Sequence, residues 1–296
     1  MDFRPRRIRG LLVGIGLTGG IVVLDALMVT WIAHRPVDLL TFFLGLTVAL
    51  SLPALVVMAY WLYSLVGMRY TLDRNGLVIT CGATGQVVPM HSIQQIIPSA
   101  GHTLEGRMRG VRWPGCWVGQ GHLAGRGLAL FYATVPLSEQ LLVVTPSLTY
   151  AISPANGEEF VQAFEARRQL GTLKRWSQES QQARFVSWPI WSDRVSHAFL
   201  GLGLMLNIGL FAYLCWRYPG IPLVVPLHFD AAGMVDRSGP RGGLFILPLI
   251  GLLIWGGNSA LGLSLRVRER AAAYLLWSGT LLVQVLLITA LLTILR

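Results

Sequence analysis

Charge is scarce in this sequence. Aspartate, glutamate, lysine and arginine make up only 13% of its 296 residues, where a soluble domain carries about 25%. With 53% hydrophobic residues and a mean hydropathy of +0.57, the chain cannot be disordered, a coiled coil or an ordinary soluble enzyme. Lysine is nearly missing: Lys174 is the only one, so arginine supplies 23 of the 24 basic residues. Cysteine is rare as well. Cys81, Cys116 and Cys215 form no C-x-x-C pair, and their odd number argues against a disulfide framework. No zinc spacing occurs either, so each is read as an apolar filler. Finally, G-x-S-x-G, H-E-x-x-H and P-loop signatures are absent. The expectation is a protein that is not an enzyme and carries no cofactor.

Long apolar runs are what the chain has instead. About 20 apolar residues in a helix rising 1.5 Å each cross a hydrocarbon core about 30 Å thick. Five stretches qualify: residues 10–33, 39–66, 197–217, 243–264 and 271–295. The first is too long for a signal peptide, no A-x-A-like site follows it, and a second run comes at once. Only residues 265–270 separate the last two, so these form a tight antiparallel pair.

The basic residues orient the spans, because cytoplasmic loops carry the excess. With the N-terminus in the cytoplasm, Arg4, Arg6, Arg7 and Arg9, the segment 68–196, and Arg266, Arg268 and Arg270 all lie inside. This arrangement puts 19 of the 24 basic residues inside and leaves Arg35, Arg217, Arg237, Arg241 and Arg296 outside. The net charge of +10 therefore needs no nucleic acid. The expected organisation is a membrane hairpin over 1–67, a cytoplasmic domain over 68–170, and a tryptophan-rich linker over 171–196. A three-span domain over 197–296 follows, with an outer loop at 218–242 and the C-terminus outside.

Between residues 69 and 169 the apolar runs shorten and turn residues multiply. Arg69-Tyr70-Thr71-Leu72-Asp73 reads as a strand, Arg74-Asn75-Gly76 as its hairpin turn, and Leu77-Val78-Ile79-Thr80 as the answering strand. Further strands are read at 86–89, 93–97, 128–133, 140–145 and 149–152. Ser153-Pro154 reads as a helix start, with serine as N-cap and proline at the first helical position. Glu158 and Glu159 suit its positive end, and Arg167 and Arg168 its negative end. About seven strands and one amphipathic helix make a β-roll capped by a helix. The segment 68–168 resembles the pleckstrin-homology-like (PH-like) domains of bacterial membrane proteins. The resemblance rests on Tyr70-Thr71-Leu72, Gly76-Leu77-Val78-Ile79, Val88-Pro89-Met90-His91-Ser92-Ile93, Tyr132-Ala133-Thr134, Val143-Val144-Thr145, Tyr150-Ala151-Ile152-Ser153-Pro154 and Phe160. It implies a binding or scaffolding role and fixes no ligand.

A glycine-rich insertion at 101–127 departs from that pattern. It carries Arg107, Arg109, Arg112 and Arg126 with Trp113 and Trp117. Basic residues beside tryptophan suit anionic headgroups or a protein partner; the alternative is a long loop folded on the roll. Gly119-Gln120-Gly121-His122-Leu123-Ala124 matches G-x-G-x-x-A, but Gly125 and Gly127 spoil the helix a dinucleotide site requires. In the linker, Trp188-Pro189-Ile190-Trp191 reads as an interfacial anchor.

The outer loop contains Pro226-Leu227-His228-Phe229-Asp230-Ala231-Ala232-Gly233-Met234-Val235-Asp236-Arg237. Pro226, His228, Phe229, Gly233 and Asp236 resemble the P-x-H-F…G-x-x-D motif of a bacterial membrane domain that also occurs in SdpI-type toxin-immunity proteins. The usual lysine further on is absent, and Arg237 or Arg241 stands in its place. His228, Asp230 and Asp236 are candidates for sensing pH or binding a cation or peptide. The plainer reading is a folded turn, in which Gly233 lets Asp236 return toward the imidazole. Asp25 is the one carboxylate inside a span, and Asn207, Asn258 and Gln284 suit interhelical hydrogen bonding. The leading expectation is a non-enzymatic bacterial inner-membrane protein whose PH-like domain mediates assembly or membrane-surface binding. Its partners are membrane lipids and a protein partner or a second copy, with no nucleic acid. The alternatives are a toxin-immunity or envelope-stress protein acting through the outer loop and, behind it, a transporter.

Overall fold

The computed structural model describes residues 1–170, 179–181, 193–229, 234–266 and 268–295, with the backbone alone for 179–181 and 227–229. The chain divides into two compact units, 1–24 with 51–187 and 25–50 with 188–296.

The first unit opens with a short strand, β1 (Asp2–Phe3), before the long helix α1 (Ile8–Ala33), and it takes in the second half of α2 (Leu39–Val66). The roll follows: β2 (Arg69–Leu72), β3 (Gly76–Cys81), β4 (Thr84–Pro89), β5 (Gln95–Pro98), β6 (Leu104–Trp113), β7 (Cys116–Leu123), β8 (Gly127–Ala133), β9 (Leu141–Val144) and β10 (Thr149–Ile152). Helix α3 (Gly157–Leu170) and strand β11 (Glu179–Gln181) complete it. One sheet runs β1-β2-β3-β4-β11 and the other β5-β9-β10-β8-β7-β6, with β8 and β10 parallel. Alternation explains the core: Tyr70 and Leu72 on β2 and Leu77 and Ile79 on β3 are fully buried, one face of a period-two pattern. Phe160 and Phe164 of α3 pack against them.

Several details depart from the sequence expectation. The insertion at 101–127 is no loop. Its residues form the hairpin β6–β7 and extend the second sheet. Glycines suggested a loop, yet here they serve a close approach between strands. Gly110 faces Gly119 across the hairpin, and a Cβ on Gly110 would sit 2.6 Å from the Gly119 Cα. The expected strand at 93–97 shifts to Gln95–Pro98, after a 3-10 turn at Met90–Ser92.

Ser153 does not cap α3. The helix starts at Gly157, where the Asn156 side-chain oxygen accepts the Glu159 N–H at 3.2 Å and the Asn156 amide donates back to Glu159, a reciprocal cap. Ser153 is engaged elsewhere. Its hydroxyl accepts the Thr134 N–H at 2.8 Å, and its own N–H donates to the Tyr70 hydroxyl at 3.2 Å.

Residues 1–5, read in the sequence as the basic flank of a span, belong to the roll. Met1 N donates to Leu72 O at 3.0 Å, Phe3 meets Phe160 edge-on at 5.1 Å, and Ala155 N donates to Arg4 O at 3.0 Å.

Tyr70 ties the two sheets together. Its hydroxyl donates to Tyr132 O at 2.6 Å while accepting from Ser153 N, and burial pushes the phenol above its ordinary pKa. Tyr70→Phe leaves a buried carbonyl and a buried N–H without that partner. The expected loss is about 1–3 kcal/mol, read as a lower thermal midpoint of the full chain in detergent. An unchanged midpoint would refute it.

The second unit contains α4 (Arg194–Arg217), the hairpin β12 (Val224–Phe229) and β13 (Val235–Pro240), α5 (Ile246–Leu265) and α6 (Arg270–Ile294). Five helices, α1, α2, α4, α5 and α6, are long and apolar enough to cross a membrane. The fourth begins later than expected, because Arg241–Phe245 is a 3-10 turn. Amide side chains join α4, α5 and α6 as anticipated. Asn207 Nδ2 donates to Pro248 O at 3.0 Å and to Gln284 Oε1 at 3.2 Å, Gln284 Nε2 donates to Gly251 O at 2.8 Å, and Asn258 Nδ2 donates to Thr280 Oγ1 at 2.9 Å. A Cβ on Gly251 would lie 2.5 Å from Asn207 Nδ2, so a larger residue there displaces this hydrogen-bonded amide.

Candidate functional site

The β6–β7 hairpin carries most of the basic and aromatic candidates, and its register divides them. Cross-strand partners share a face. Arg109 is paired with Gln120, and Trp113 with Cys116; Arg112 is paired with Trp117. Arg112 and Trp117 occupy the opposite face from Arg109 and Trp113, because successive residues alternate. Arg112 places its guanidinium 4.2 Å from the Trp117 ring centroid, and Trp117 lies beside Phe131. Trp113 turns to α1, where its Nε1 donates to Gly10 O at 3.3 Å. Arg107 is exposed on β6, and Arg126 sits half-buried in the turn before β8. The six candidates therefore do not converge on one site.

On the Arg109 face a cavity of about 230 Å³ opens between the last turns of α2 and the two sheets. Tyr60 and Trp61 come from α2, Thr84 from β4, Arg109 and Gln120 from the hairpin, and Leu130 and Tyr132 from β8. The sequence reading missed Tyr60, Trp61 and Gln120, because nothing local links them to Arg109. Cys81 also lines the cavity, and burial pushes its thiol and that of Cys116 up to about 12. Both are poor nucleophiles, consistent with apolar filling.

The segment between α4 and α5, read as a folded turn, is an antiparallel hairpin with a bulge. His228 faces Arg237 and Phe229 faces Val235, which leaves Asp236 in the irregular step between them. The side chains of His228 and Phe229, and all of Asp230 and Gly233, lie outside the described residues, as do Trp176, Trp188 and Trp191. Pro226 is half-buried opposite Ser238, whereas Asp236 and Arg237 are exposed and line a cavity of about 550 Å³ with Leu244, Leu247 and Ile294. Arg241 clasps the base of the hairpin. It donates to Tyr218 O at 3.2 Å and Ile221 O at 3.1 Å and stacks 4.5 Å above the Tyr218 ring. Asp25 is half-buried in α1. Among the described residues, no group of three or more His, Cys, Asp or Glu side chains comes together to hold a metal.

One cluster was not anticipated. Asp193 caps α4, accepting the Val195 N–H at 3.0 Å and the Ser196 hydroxyl at 2.6 Å. The Tyr274 hydroxyl from α6 donates to it at 3.0 Å, and Arg266 Nη2 pairs with it at 2.6 Å. The Ser196 hydroxyl, then Tyr274 and the backbone N–H groups, hold its carboxyl well below the usual carboxylate range against the opposing effect of desolvation.

Residues 68–168 match the family of bacterial PH domains. Residues 205–252 match a second family, a domain of unknown function (DUF1648) that is found in SdpI-type membrane proteins. The first match runs from β2 into α3 and includes the β6–β7 hairpin; the second runs from α4 through the β12–β13 hairpin into α5. No curated protein and no solved structure matches the chain.

Proposed function

We propose that the chain is a non-enzymatic, multi-pass protein of a bacterial cytoplasmic membrane, and that its PH-like domain is a binding module held against the cytoplasmic face. The carrying observation is how short the junction between α2 and this domain is. Residue 66 ends α2 and residue 69 starts β2, while Asp2 and Phe3 pair with Thr71 and Tyr70 across β1 and β2, Met1 N donates to Leu72 O, and Phe3 packs on Phe160 of α3. A module anchored at both α1 and α2 samples a thin layer at the membrane surface, where exposed arginines meet anionic headgroups or a membrane-bound partner. The bias of 19 basic residues to one side supports a cytoplasmic position.

Reporter fusions at Arg74 and Arg296 test this reading. The expected result is a cytoplasmic signal at Arg74 and an external one at Arg296; signals from one side overturn the five-span arrangement. A second reading, toxin immunity through the outer hairpin, is favoured by the match over 205–252 and by the exposed Leu223, Val224, Met234 and Val235. It requires that changes to this hairpin abolish toxin resistance while leaving the PH-like domain and its partners undisturbed.

A further inference from the structure

We infer that the cavity between α2 and the roll seats the phosphate of an anionic phospholipid headgroup, with Arg109 and Gln120 as its ligands. This inference rests on the placement of the PH-like domain at a membrane surface. Four observations carry it.

First, Arg109 and Gln120 are cross-strand partners on one face. Neither side chain has a hydrogen-bond or ion-pair partner among the described residues. A guanidinium beside a carboxamide offers a phosphate several N–H donors in a fixed arrangement.

Second, two glycines lie among the lining residues. Gly110 and Gly119 face one another there with φ of +141° and +155°. Close packing of the two backbones beside Arg109 and Gln120 demands glycine, since a Cβ on either would overlap a carbonyl of the facing strand.

Third, the remaining wall is amphipathic. Trp61, Val118, Leu130 and the Tyr132 ring line it alongside Tyr60. Tyr60 lies six residues before the end of α2 at Val66, about 9 Å along the helix axis. Tyrosine and tryptophan at the end of a span sit at headgroup level, so the cavity opens where lipid phosphates are concentrated.

Fourth, the volume of about 230 Å³ falls below the about 300–1,000 Å³ of small-molecule pockets. It suits a phosphate with its linking glycerol and not a whole nucleotide, while the acyl chains remain outside along α2. Arg107, Arg112 and Arg126 add positive charge along the hairpin outside the cavity, against Glu105 as its only acid. A soluble phosphate shares this chemistry, but the aromatic wall and the helix end favour the lipid.

The test uses the full chain in mild detergent, titrated with phosphatidylglycerol or phosphatidylcholine and read by native mass spectrometry. The wild type is expected to take one phosphatidylglycerol about tenfold more tightly than phosphatidylcholine, a difference of about 1.4 kcal/mol. Arg109→Gln with Gln120→Ala should erase that preference. Arg126→Gln, away from the cavity, should keep it. Both altered positions on β6 and β7 are exposed, and unchanged thermal midpoints will show that the fold persists. Equal preference in wild type and double variant overturns the site. An equal loss in Arg126→Gln overturns it too, since charge alone would then suffice. If inorganic phosphate displaces the lipid completely at millimolar concentration, the seat is for a soluble anion and the lipid assignment falls. A failure of the reporter test would move the domain to the other leaflet without removing phosphatidylglycerol binding, so the two failures are distinguishable.

Discussion

A Gly115→Val variant is expected to lose about 2–6 kcal/mol, through two costs that add at one residue. Gly115 is the tip of the β6–β7 hairpin and has φ +90°. A β-branched residue there is strained by about 1–3 kcal/mol. The tip also rests on the first turns of α1. A Cβ on Gly115 would lie 2.5 Å from the Gly10 Cα, and one on Gly10 would overlap the Gly115 carbonyl. Backbone cannot withdraw as a flexible side chain can, and such overpacking costs a further 1–3 kcal/mol or so. Trp113 Nε1 donates to Gly10 O beside this contact, so its fluorescence should report the separation. Gly125→Ala is the control. Its φ is +73° but nothing lies within 4 Å of the added Cβ, so only the conformational cost of about 1–2 kcal/mol applies. Equal thermal midpoints for the two variants would show that α1 and the hairpin tip are not packed as described.

That contact also shows where sequence reading succeeds and where it stops. The five apolar helices were legible because membrane spans are defined by local composition over about 20 residues. Strands β2 and β3 were legible because alternation is local as well, and β8 and β10 because each is a short, largely apolar run between turn residues. The β6–β7 hairpin was not. Six of its glycines and near neighbours, at 106, 110, 115, 119, 125 and 127, have positive φ, and glycine in sequence signals a turn without revealing a glycine-to-glycine approach across strands. Ser153-Pro154 carried a helix-start pattern that Asn156 in fact satisfies, since Tyr70 and Thr134 had already engaged Ser153. Arg109 was recognised as a candidate, but its neighbours in the cavity were not. Tyr60 and Gln120 come from different elements, and only the pairing of the sheets brings them together. Asp193 was missed for the same reason: Tyr274 is 81 residues away in sequence.

Neutralising Asp193 is expected to destabilise the α4–α5–α6 bundle at neutral pH, and the effect should be larger than that of removing either of its partners' hydroxyls. The Asp193 and Arg266 side chains are only 13% and 10% exposed. Arg266 Nε is buried without a hydrogen-bond partner among the described residues. Removing the carboxylate therefore strands a buried guanidinium, whereas losing both charges together does not. Asp193→Asn should lower the thermal midpoint more than Tyr274→Phe, which deletes one bond of several. Adding Arg266→Gln to Asp193→Asn should restore part of the loss, a non-additivity expected of partners in contact. The pH dependence has a definite sign. Because the folded carboxyl is held below its ordinary value, by the Ser196 hydroxyl first, its contribution is fully present above the usual carboxylate range near pH 4. It is lost only as pH falls further, toward the depressed folded value. The midpoint gap between wild type and Asp193→Asn should thus be constant from about pH 5 to 8 and narrow below about pH 4. A gap that widens in acid, or strict additivity of the two charge variants, would mean that Asp193 is not the counter-charge of Arg266 in the folded bundle.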